Sequence, residues 1–258
     1  MNKNIPISTP YQNTIIYFLS GTGNSYRISE PMQSIADDKD LKTIKSSVNS
    51  AKPTEEIKDN NTCILGLIFP IHGFTAPWYM IKFTWRLPQV KKAHAFCAAT
   101  RAGFKFAKVF TPGISSSATF LIALILFFKG YKVQGVTSFD MPSNWYSLHP
   151  IQKEKSIRQI IERATLKTST FTNIMLAGKQ NWFTWTNLYE ISWTIVLTPI
   201  SLGYIMVGRL FFAKMFFANK NCDGCSICSK NCPVNAIEMR GKEKPKPFWK
   251  YSCESCII

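Results

Sequence analysis

The feature that most restricts the fold is an alternation running through the first 165 residues. Unbroken apolar runs at Asn13–Ser20 (NTIIYFLS), Thr62–Pro70 (TCILGLIFP), His94–Thr100 (HAFCAAT) and Tyr131–Pro142 (YKVQGVTSFDMP) read as strands. Runs this continuous suit strands covered on both faces. Helical patterns fall between and after them. SYRISEPMQSIA follows the first run, with Pro31 near its start or kinking it. Ser115–Gly130 suits a buried helix, with serine as cap and Gly130 as stop. IQKEKSIRQIIERATLK places Ile157, Ile160, Ile161 and Ala164 on one stripe. Strand and helix in alternation imply a parallel sheet with helices on both faces. Such sheets take ligands beyond the carboxyl ends of their strands, where the strand order reverses.

The turn after the first run reads Ser20-Gly21-Thr22-Gly23-Asn24-Ser25. Its glycines permit close backbone approach, its side chains offer three hydroxyls and an amide, and a helix N-terminus follows. Together these make an anion nest. The turn lacks the G-K-[ST] ending of a Walker loop, and Tyr26 stands at the third glycine position of a dinucleotide fingerprint. An ordinary capped turn between strand and helix is the alternative.

The chain holds eight cysteines, and six of them lie in the last 40 residues. The N-terminal MNKNIPISTPYQN is polar, which argues against a cleaved signal peptide. Without an export signal, clustered cysteines favour metal or cluster binding over disulfides. Cys63 and Cys97 stand alone in strand-like runs and read as small buried hydrophobes. Cys222, Cys225, Cys228 and Cys232, followed by Pro233, form C-x2-C-x2-C-x3-C-P. Three thiolates on one tight turn can reach three irons of a cubane, and Gly224 relieves the crowding. Cys253 and Cys256 add a second C-x-x-C pair. Cys222 and Cys225 with Cys253 and Cys256 would also make two zinc-type pairs, though that leaves Cys228 and Cys232 unexplained.

These two motifs resemble known families. Strand–SGTGNS–helix looks like the phosphate loop of flavodoxins, and the cysteine run looks like that of bacterial ferredoxins. Both together resemble flavodoxin–ferredoxin fusions. The resemblance implies a five-stranded parallel sheet in order 2-1-3-4-5 that holds FMN. Ser20, Gly21, Thr22, Gly23, Asn24 and Ser25 would then hold the phosphate. The ring would lie between Pro70, Ile71, His72, Gly73 and Phe74 after the third strand and Thr100, Arg101, Ala102 and Gly103 after the fourth. It also implies two 4Fe–4S clusters, the first on Cys222, Cys225 and Cys228, the second on Cys232, Cys253 and Cys256. In the paired pattern a further cysteine run would continue past Ile258, so each set is one ligand short and the chain reads as truncated.

Lys and Arg outnumber Asp and Glu by 31 to 15, against the acidic character typical of flavodoxins. Asn61 to Phe139 contains no acidic residue but nine basic ones. That balance favours an anionic ligand, an acidic redox partner or an anionic membrane surface. No zinc finger, helix-turn-helix or RNP pattern supports nucleic acid as a partner.

The division expected is a flavodoxin-like domain over 1–165, a helical apolar connector over 166–218 and a ferredoxin-type module over 219–258. Ile191 to Gly208 carries no charge, with Trp182, Trp185 and Trp193 before or within it and Arg209 and Lys214 after. A helical hairpin packing the two lobes together, peripheral membrane contact through 182–217, and a true span all fit that pattern. The expected function is electron transfer between FMN and iron–sulfur clusters in the cytoplasm. A flavin-dependent reductase fed by the clusters is a second reading, and a zinc-stabilised interaction module a third. No catalytic base or nucleophile set stands out, and His94 and His149 read as structural.

Overall fold

The computed structural model describes residues 9–145 and 149–253. Five parallel strands form the sheet: β1 (Asn13–Phe18), β2 (Lys42–Ser47), β3 (Cys63–Pro70), β4 (His94–Phe106) and β6 (Lys132–Pro142). Their order is β2-β1-β3-β4-β6, the 2-1-3-4-5 arrangement of the flavodoxin-like fold. A short β5 (Val109–Thr111) folds back antiparallel on the end of β4.

Helices cover both faces. On one, α3 (Trp78–Arg86) and α4 (Ala118–Phe128) pack with Tyr17, Leu65, Leu67, Phe69 and Cys97. On the other, α1 (Asn24–Asp37) and α5 (Glu154–Leu176) cover Ile16, Ile64, Ile68, Phe96 and Phe139. This explains the unbroken apolar runs: β3 is buried from Cys63 to Phe69 because both its faces are core. Cys63 and Cys97 are fully buried core residues. A four-residue α2 (Pro53–Glu56) lies between β2 and β3.

Three features differ from the sequence reading. The edge strand β2, KTIKSS, is half-buried and polar, so no apolar run marks it. The third run does not end at Thr100: β4 continues to Phe106, because Ala99 to Gly103 pair with Ser138 to Pro142 of β6. Residue 165 is no boundary, since α5 passes through it and keeps Thr168, Phe171 and Met175 buried against the domain.

Beyond α5, one helix of 29 residues runs from Trp185 to Ala213. It comprises α6 (Trp185–Gly203), a π-helical turn at Tyr204–Gly208 and α7 (Arg209–Ala213), so residues 185–213 form one rod and not a hairpin. The remainder holds α8 (Ile227–Lys230) and an antiparallel hairpin of β7 (Ile237–Arg240) and β8 (Lys246–Trp249).

Candidate functional site at the carboxyl edge of the sheet

The loop after β1 is built as a nest. Ser20 Oγ accepts a 3.1 Å hydrogen bond from the Gly23 amide and closes the turn. Gly23 sits at φ +90°, a left-handed conformation that favours glycine, and an added Cβ there would meet nothing within 4 Å. Helix α1 starts at Asn24 with no side chain capping its first amides and no acidic residue in its first turn. Its free N–H groups and the positive end of its dipole therefore face the loop.

Neighbouring strands hold this loop in place. Ser25 Oγ and Thr100 Oγ1 are 2.9 Å apart and buried. Asn24 Nδ2 donates to the Pro142 carbonyl at 2.9 Å, and Asn144 Nδ2 donates to Thr22 Oγ1. Ser20 and Thr22 thus accept with their oxygens and keep their hydroxyl protons for another acceptor. Thr100, expected in the loop set, takes part as a strand residue bonded to the Ser20–Ser25 loop. Asn144 was missed: nothing in the sequence marks a residue beyond the last strand as a neighbour of Thr22.

The loop after β3 makes a tight reversal. His72 and Thr75 exchange backbone hydrogen bonds at 3.0 and 3.1 Å across Gly73 (φ +55°) and Phe74 (φ +61°). A left-handed Phe is a strained conformation that surrounding contacts must hold. They do: Ser201 Oγ donates to the Phe74 carbonyl at 3.3 Å. The Tyr204 ring lies on Gly73, where any Cβ would collide with it. The close approach that Gly73 permits is therefore made by Tyr204. Burial pushes the His72 imidazole down to about 4, so it is neutral at pH 7.

Arg101 corrects the expectation of a loop after the fourth strand. It lies in β4, only 5% exposed. Its Nε and Nη2 donate to both Asp140 oxygens at 2.7 and 3.3 Å, and its Nη1 pairs with Glu190 of α6. Glu190 also accepts from the Ser115 and Ser116 amides at 2.8 and 2.6 Å. Arg101 is thus consumed in tying α6 to the sheet. Gly103 is small for strand packing, since a Cβ there would collide with Asp140 of β6. Neither residue faces an open crevice, and Ala102 belongs to the same strand.

The donor set at the phosphate end fits a monophosphate: open space over Gly23, uncapped amides and two available hydroxyl protons. The space beyond β3 and β4 is walled by Tyr204 and by the α6 side chains Ser201 and Glu190.

In the C-terminal part, Cys232 and Cys253 share one buried cluster with Ala213 and Ala236, and Cys232 Sγ accepts from the Ala236 amide at 3.2 Å. Cys225 is exposed, and Cys222 and Cys228 are partly so. Among the described residues no three Cys, His, Asp or Glu side chains gather as a metal site. Cys256 lies outside the described residues. The Pro233 carbonyl accepts from Asn49 Nδ2 just beyond β2, and Val234 packs on the α3–α4 core. The cysteine run therefore ends against the same edge of the sheet as the Ser20–Ser25 loop.

A doubly wound sheet with an anion nest at its switch point defines a flavodoxin-like domain. Among solved structures, the chain is similar to Flavodoxin 2 from Bacillus cereus, with 15% identity, TM-score 0.41, and coverage of 64% of this chain and 97% of that one. It is also similar to a Streptococcus pneumoniae flavodoxin (14%, TM-score 0.40, 60% and 98%) and to a flavodoxin from the Archaea (15%, TM-score 0.38, 62% and 98%). The fold assignment rests on the strand order and not on these scores. No protein-family model matches the chain, and no curated protein matches it.

Proposed function

We propose that the chain is an electron-transfer protein that binds FMN at the carboxyl edge of its sheet and iron–sulfur clusters on its cysteines. One observation carries the reading: Asn49 and Val234 join the Cys232–Pro233 end of the cysteine run to the edge that carries the phosphate nest. Two redox groups held at one edge could exchange electrons within the chain. Ser20, Thr22, Asn24 and Ser25 would hold the phosphate, with the α1 amides. Ile71 and His72, the latter as a neutral imidazole, would border the ring, with Tyr204 beside it covering Gly73. Flavin would supply one- or two-electron chemistry and the clusters one-electron steps, while the protein orients them.

Burial of Cys253 with Cys232 suits the paired-cluster pattern, in which those two would share a cluster. An acidic redox partner would suit the basic stretch from Asn61 to Phe139. Anaerobically purified protein should contain FMN, iron and acid-labile sulfide. Thr22→Ala with Asn24→Ala should lower FMN retention at least about tenfold, the loss expected from two polar contacts of ~1 kcal/mol or more each. Zinc without iron, sulfide or flavin would refute the proposal.

A further inference from the structure

The Trp185–Ala213 helix is amphipathic in the inverted sense. Its inward stripe carries three polar residues, Asn187, Glu190 and Ser201, all at most 4% exposed. Asn187 Nδ2 reaches the carbonyls of Val136, Asn181 and Trp182, and Glu190 holds Arg101 and the Ser115 and Ser116 amides. The outward stripe is apolar: Leu188 is 50% exposed, Ile195 77%, Val196 63%, Leu202 53% and Met206 70%. Only 11% of its most apolar eighteen-residue stretch is buried. A helix in water places these faces the other way round, and an uncovered patch of this extent marks an interaction surface.

We propose that this helix lies in the plane of an anionic membrane surface, its outer face sunk into the lipid and its inner face carrying the flavodoxin-like domain. Charge argues for lipid as the occupant. Residues 191–222 contain no acidic residue and carry the exposed Lys220, while Arg209 stacks on Trp78 and Lys214 donates to the Trp249 carbonyl, and the domain adds the acid-free stretch from Asn61 to Phe139. Cations beside an apolar helical face bind anionic headgroups while the face enters the acyl boundary. Phe183 and Trp185, 96% and 87% exposed, stand at the helix start, where aromatic rings favour the membrane–water boundary.

The inward contacts argue against a span. From Asn187 to Tyr204 the helix is fastened to the domain over roughly 26 Å, at ~1.5 Å per residue. Crossing a bilayer would strip Asn187 and Glu190 of those partners and place them in hydrocarbon.

The proposal does not depend on flavin or cluster binding, and its test needs neither. The full-length protein is mixed with preformed vesicles of phosphatidylcholine, with and without phosphatidylglycerol, and bound protein is separated by flotation. Binding is expected with phosphatidylglycerol, weaker at high salt, with a blue shift of tryptophan fluorescence. Ile195→Glu with Val196→Glu should weaken it at least about tenfold. Leu166→Glu, on the exposed side of α5, should leave it unchanged. Both sites face outward, so circular dichroism should show the folded chain in each variant. Externally added trypsin should still cut beside Lys220. The idea is overturned if wild-type protein ignores the anionic vesicles, if the double variant binds as well as wild type, if the helix instead pairs two copies in lipid-free buffer, or if vesicles protect the Lys220 side from trypsin.

Discussion

Glu190 is the residue whose removal tests the architecture most directly. It is 1% exposed and accepts from Arg101 Nη1, the Ser115 and Ser116 amides and Ser115 Oγ. Glu190→Ala deletes one carboxylate and strands two buried amides. Breaking a buried ion pair from one side costs about 3–5 kcal/mol. Arg101 keeps its two bonds to Asp140, so its charge is not orphaned and the cost falls at the lower end. Each unpaired amide adds ~1 kcal/mol or more unless water reaches it. The expected loss is thus about 3–5 kcal/mol, with Glu190→Gln losing less because one carbonyl oxygen still accepts. Urea unfolding in mild detergent gives the shift in midpoint, and hydrogen exchange reads the Ser115 and Ser116 amides individually. A Glu190→Ala protein within about 1 kcal/mol of wild type would refute the reasoning, as would unchanged exchange at both serines.

Other outcomes follow from the same geometry. Gly73→Ala should destabilise by about 1–3 kcal/mol, from the collision with Tyr204 and the left-handed φ of +55°; adding Tyr204→Ala should recover only the steric share, as thermal unfolding of the single and double variants will show. The His72 imidazole is pushed by burial from 6.5 to about 4, so the unfolded chain takes up its proton first. Stability should therefore fall as pH drops from 6.5 towards 4, by about 3 kcal/mol, and His72→Gln should flatten that slope in urea titrations. Lys167, desolvated and facing Arg101, is lowered from 10.5 to about 8, so the unfolded chain holds its proton longer. Stability should rise from pH 8 towards 10, and Lys167→Met should remove the rise. Above pH 10 burial of Tyr11, whose hydroxyl is raised to about 12, works the other way, because the unfolded chain ionises first.

The elements legible in the sequence were those whose signal is local. β3 reads as a strand because both its faces are core, so every residue from Cys63 to Phe69 is apolar or small. The Ser20–Ser25 nest is legible because its parts are consecutive and Gly23 needs a conformation few other residues take. β2 was hidden because an edge strand half open to water needs no apolar run. Arg101 was misread because a basic residue between small ones looks like a loop, and only the register with Asp140 makes it a strand residue.

By itself, then, the chain determined a doubly wound sheet, a phosphate-type turn and a cysteine run, each set by residues close together along the backbone. Tertiary structure decided what no neighbouring residues could encode. It brought Glu190 onto Arg101 across 89 positions and Ser201 onto Phe74 across 127. It also turned the polar stripe of the 185–213 helix inward. Composition reports that this helix is apolar, but which face meets the protein depends on where the partners of Asn187 and Glu190 stand. Buried polar groups go where their hydrogen bonds can be made, and here those partners lie in β4, in the middle of β6, at Asn181 and Trp182, and just before α4. The apolar face was left to the outside for that reason.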